Sequence, residues 1–116
     1  MSDEFRRAKR RRALETIEVI DTMSEFSIGR IGNLSESGMM VLATQNLVDD
    51  ALYQLRFHLP VGDNRPHRID VGAHQLWLED ASATGQHWCG FRFIDLGPEH
   101  LDTLRAWIDA PGGQYA

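Results

Sequence analysis

The chain has 116 residues, near the commonest size of a single domain, so one hydrophobic core is expected and a second has no room. Apolar residues make up 42% and charged residues 25%, ordinary globular usage that excludes a disordered or fibrous chain. The net charge of −5 is unevenly spread: residues 1–12 carry six basic side chains against Asp3 and Glu4, while the remainder holds six basic and fifteen acidic residues.

A basic arm on an acidic body would repel a long nucleic acid, yet the arm could hold one small anion. The longest apolar runs, such as residues 39–43, fall far short of the ~20 residues that cross a bilayer. The N-terminus also lacks the apolar stretch of a secretory signal, so a cytoplasmic protein without membrane insertion is expected. Cys89 is the single cysteine and reads as core filler, since it can form neither an internal disulfide nor a zinc cluster.

In chain order, residues 13–21 interleave β-branched and acidic residues and read as a strand with Ile17, Val19 and Asp21 on one face. Residues 26–34 form a second strand, with Phe26, Ile28 and Arg30 expected opposite Ser27, Gly29 and Ile31. The apolar run 39–43 is a third, too short for a helix. Residues 52–59 alternate through Leu55, Phe57 and Leu59 and are expected to stop at Pro60, ahead of the turn formers Gly62, Asp63, Asn64 and Pro66. A strand pair follows at 68–79 and 86–94. Residues 98–108 then place Leu101, Leu104, Trp107 and Ile108 on one face of a helix with Pro98 in its first turn.

Six short strands and one terminal helix lack the strand and helix alternation of parallel sheets. The fold class is therefore all-β with a C-terminal helix, as a six-stranded antiparallel β-barrel, which also hides its strand edges. Residues 1–12 are expected to be a flexible basic arm, 13–110 the barrel with its helix, and 111–116 a frayed tail.

Two elements carry the chemistry. The arm offers an Arg-x-x-x-Arg spacing twice, as Arg6/Arg10 and as Arg7/Arg11. At the end of the second strand, Asn33, Ser35 and Gly38 form Asn-x-Ser-x-x-Gly, where an extended chain would point amide and hydroxyl to one side. Gly38 supplies a positive φ or a close backbone approach. An amide and a hydroxyl facing guanidinium groups can read a guanine edge while the arginines hold phosphate, so a guanine dinucleotide is the natural ligand.

This conjunction resembles the PilZ domain family, with 21 residues between Arg11 and Asn33. Residues 93–96, followed by Pro98, Glu99 and the Leu101/Leu104 helix, look like that family's last strand and terminal helix. The resemblance implies a PilZ-like split barrel that binds cyclic di-GMP, with arginines on phosphates and guanines and with Asn33 and Ser35 on a guanine. The surplus of arginines leaves the motif pair open between Arg6/Arg10 and Arg7/Arg11; Arg7/Arg11 is preferred, because Ala13 and Leu14 then fall where the family's first strand begins. Arg6, immediately before that pair, implies two stacked ligand molecules rather than one.

The expected function is thus a cyclic di-GMP receptor or adaptor, not an enzyme, whose arm orders on the ligand and signals to an unidentified protein effector. The alternatives are a ligand-independent PilZ-like interaction module, in pilus assembly or motility, and a small barrel that binds single-stranded nucleic acid. His58, His67, His74, His87 and His100 show no zinc-type spacing, so neither a metal nor another cofactor is expected. No base and acid are placed to activate Ser35, Ser37 or Cys89 as a nucleophile. Trp77 is expected in the core, although a place near the ligand would let it report binding.

Overall fold

In this computed structural model the described residues are 8–62 and 65–116. They form β1 (Arg11–Arg12), β2 (Glu18–Asp21), β3 (Phe26–Leu34), β4 (Gly38–Ala43), β5 (Leu52–Val61), β6 (Arg65–Asp80), β7 (His87–Asp95) and α1 (Pro98–Asp109). Every pairing is antiparallel, in the order β1-β3-β2-β5-β6-β7-β4, and β4 pairs back onto β3. That last pairing closes six strands into a barrel and leaves β1 as an extra strand against β3.

Period-two alternation drives the closure. Leu55, Phe57 and Leu59 on β5 face Val71, Ile69 and the rest of a core that includes Val41, Cys89 and Phe91. Alternate residues of each strand therefore line one interior, and the others form an outer face. The helix packs against β5 and β6 and adds Leu104, Trp107 and Ile108 to the same core. Burial pushes the Cys89 thiol up to about 11, as expected for a core filler. Among the described residues, no helix is long and apolar enough to cross a membrane.

Four local expectations change. Only residues 18–21 of the expected first strand belong to the barrel; the arginines before them pair separately as β1. On β3, Ile28 and Ile31 are both buried while Phe26 and Arg30 are exposed, because the pairing with β2 skips Ile28, Val19 lying opposite Gly29 and Ile20 opposite Ser27. The extra residue of that bulge breaks strict alternation. Next, β5 runs past Pro60 to Val61, with Pro60 opposite Pro66. Two prolines can face each other where neither backbone N–H is needed.

The tail is the fourth change. Tyr115 bridges Arg11, the Arg12 amide donates to the Gln114 carbonyl at 2.7 Å, and the Ala116 amide donates to the Arg10 carbonyl at 3.0 Å. Residues 114–116, expected to fray, lie along the free edge of β1. Arg6 and Arg7 lie outside the described residues.

Phe57 is fully buried in the middle of β5, where its removal would leave a cavity. Phe57→Ala is expected to lower unfolding free energy by ~3–5 kcal/mol, read from urea unfolding.

Candidate functional site

The bulge at Gly32 decides where Asn33 points. Ile31 pairs with Val41 and Leu34 with Met39, all core residues, whereas Asn33 pairs with Met40 between them and turns away from the core, yet is itself buried at 8% exposure. The register then continues from Met40 to Gly90 on β7 and from Gly90 to Trp77 on β6. Asn33, Met40, Gly90 and Trp77 thus form one row across four strands of the outer face.

Trp77 is 40% exposed, so the core position expected of it is not the one it takes. Its indole lies over the backbone of Gly90, where any Cβ would collide with the ring. The neighbouring Trp88 covers Gly32 in the same way. One row away, Arg92 stands exposed between its partners Gly38 and His74. The result is a flat aromatic and apolar floor with an amide at one end and a cation beside it.

The arm reaches this floor through Arg10, whose Nη1 donates to Asn33 Oδ1 at 2.8 Å. Asn33 Nδ2 in turn lies 3.9 Å from Met40 Sδ. Two sequence elements 23 residues apart therefore meet side chain to side chain.

Arg11 points elsewhere. Its Nη1 donates to the carbonyls of Trp107 at 2.7 Å and Ala110 at 3.0 Å, and its guanidinium lies 4.9 Å from the centre of the Trp107 ring. Successive side chains of an extended segment face opposite ways, so Arg10 and Arg11 cannot share a target.

Ser35 is fully buried and builds the turn from within. Its Oγ accepts from the amides of Ser37 and Gly38, each at 3.2 Å, and its own amide donates to the Gly38 carbonyl at 2.9 Å. Ser35 and Asn33, expected to point to one side, do not share a target: Ser35 Oγ is turned into its own loop and Asn33 meets Arg10. Gly38 is required by close approach, since a Cβ there would meet the Phe91 carbonyl of β7. Glu36, at the tip, accepts from Arg105 Nε of α1 at 2.8 Å.

A separate concavity of about 470 Å³ opens beside the N-terminus of α1, lined by Asp70, Asp95 and Glu99 among others. Three carboxylates make it unsuited to an anionic ligand. Among the described residues, no three His, Cys, Asp or Glu side chains are grouped to hold a metal.

Sequence reasoning missed the Trp77 floor and the use of Arg11. An isolated glycine inside an aromatic strand, Gly90, was the available signal for the first.

The PilZ domain family model matches residues 4–110. No curated protein sequence matches the chain. Among solved structures, the inhibitor of motility of Bacillus subtilis (MotI/DgrA) superposes with a TM-score of 0.73 at 13% identity, covering 89% of this chain and 49% of that one. The chain thus spans about half the length of that protein. The PilZ domain of YcgR from Escherichia coli, solved with c-di-GMP, gives 0.63 at 16% identity, covering 89% of this chain and 88% of that one. At these identities the likeness concerns the fold.

The two glycines should respond differently to a methyl group. Gly38→Ala meets backbone that cannot move without opening β4 from β7, and is expected to cost ~2–3 kcal/mol in urea unfolding. Gly90→Ala meets a side chain that can swing aside, and is expected to cost under ~1 kcal/mol while exposing Trp77 to acrylamide quenching.

Proposed function

We propose that this chain, which belongs to the PilZ domain family, is a cytoplasmic receptor for cyclic di-GMP that binds its ligand on the outer face of β3, β4, β7 and β6. The observation that carries this reading is the Arg10–Asn33 hydrogen bond, which joins the arginine arm to the Asn-x-Ser-x-x-Gly turn at the end of the row that leads to Trp77. Cyclic di-GMP offers two guanines and two phosphodiesters. Trp77 and Met40 supply a surface for a base plane, Asn33 an amide for a guanine edge, and Arg10 a fork for phosphate or for guanine O6 and N7.

Of the two arginine registers, Arg6/Arg10 has the better support, because Arg11 is spent on the end of α1. Arg6 and Arg7, outside the described residues, are the further arginines of this reading, which includes a second, stacked ligand molecule. Arg92 adds a cation one row away, between Gly38 and His74. Ser35 acts through the shape of the turn, with Gly38 allowing β7 to approach. Ordering the leading residues of the arm on the ligand changes the surface offered to a protein effector, and the reading includes no catalytic step.

Calorimetry with cyclic di-GMP, GTP and a short single-stranded oligonucleotide tests this. The chain is expected to bind cyclic di-GMP alone among the three. Arg10→Ala should weaken binding about thirtyfold, the equivalent of one lost charge-assisted contact of ~2 kcal/mol, and Asn33→Ala about tenfold. Absent binding, or unchanged affinity in both variants, would leave the ligand-independent interaction module as the better reading. Tighter binding of the oligonucleotide would favour the single-stranded nucleic-acid barrel.

A further inference from the structure

The segment that places Arg10 is too short to hold itself. β1 has two residues, paired as Arg11 with Leu34 and Arg12 with Asn33, and an isolated pairing of that length is not stable in water. Its other edge is covered by the tail, through Arg12 N–H to Gln114 and Ala116 N–H to Arg10. The tail is itself tied down, since Tyr115 OH donates to the Ile108 carbonyl at 2.6 Å.

These bonds meet a standing need of α1. The last carbonyls of a helix have no partners within it, and that end favours a cation. The last turn of α1 contains no basic residue. Arg11 supplies the charge from outside, bonding Trp107 and Ala110, and Tyr115 takes Ile108. Lys9 adds an ion pair with Asp109 at 2.6 Å and lies 5.2 Å from the centre of the Tyr115 ring.

We infer that Arg11 and the tail residues 114–116 form a clamp that fixes the register of β1 and so holds Arg10 against Asn33 before ligand arrives. Tyr115 is a positioning residue for the binding site and touches no ligand itself. A one-residue slip of β1 would turn Arg10 toward α1 and Arg11 toward Asn33, so the helix end selects which arginine serves the site. This rests on the reading that Arg10 and Asn33 contact the ligand. With the clamp intact, the ordering of residues 10–12 is already complete and need not be drawn from binding energy.

The test combines calorimetry with amide hydrogen exchange. Ala116→Pro removes the amide that bonds Arg10, and Tyr115→Ala removes the bond to Ile108 and the ring beside Lys9. Each is expected to weaken cyclic di-GMP binding about tenfold and to speed exchange of the Arg12 amide, while the amides of β4 to β7 keep their protection. Tyr115→Phe, which keeps the ring, should recover part of the affinity. Arg10→Ala, by contrast, should lose affinity with Arg12 protection intact, the mark of a contact rather than a positioning role.

Unchanged Arg12 exchange in both tail variants would show that the tail holds nothing. Faster exchange with unchanged affinity would show that the clamp does not serve the site. A wild-type chain that fails to bind would overturn the ligand reading and with it the affinity half of the inference, whereas Arg12 exchange would still decide the clamp.

Discussion

The organisation of the face depends on Arg11 meeting the C-terminal end of α1. A guanidinium that bonds two helix carbonyls and stacks on Trp107 fixes both the position and the facing of the chain at that residue. Because side chains alternate, fixing Arg11 inward turns Arg10 toward Asn33. The helix thus reaches the first motif element through Arg11 and the second through the exposed Arg105–Glu36 pair. The second tie is a surface ion pair and contributes little energy; its effect is on where the turn sits.

The floor beneath those elements follows from backbone geometry more than from polar chemistry. A bulge at Gly32 lets Ile31 and Leu34 both enter the core while Asn33 faces out. Gly90 lets the Trp77 indole lie flat on the barrel, and Gly38 lets β7 come close to the turn. Each would be lost with one added methyl group unless a neighbour moved. A flat platform with few polar groups suits a ligand made of planar bases and charged linkers, where stacking supplies area and a small number of directed bonds supply specificity.

Much of the fold was legible because long strands with one face inward leave a period-two record, as at Leu55, Phe57 and Leu59, and because the terminal helix keeps its apolar stripe at Leu104, Trp107 and Ile108. Bulges are poorly legible, since one inserted residue shifts the pattern without any distinctive composition; hence the changed facing of Ile28, Arg30 and Ile31. The positions of Asn33 near the end of β3 and of Gly38 at the turn into β4 were legible from the motif spacing. The facing of Arg10 and Arg11 was not, because it turns on a contact of Arg11 with Trp107 and Ala110 almost a hundred residues away. The tail was misjudged for a related reason: Pro111, Gly112 and Gly113 correctly mark the end of the helix, but say nothing of the strand edge waiting beyond it.

The most direct measurement is an amide and indole chemical-shift titration of the full chain with cyclic di-GMP. We expect the largest shifts at Asn33, Met40, Gly90 and the Trp77 indole N–H, with Arg10 moving in step. Shifts centred instead on Asp70, Asp95 and Glu99 beside the start of α1, with the Asn33 to Trp77 row unmoved, would contradict the assignment of the binding face.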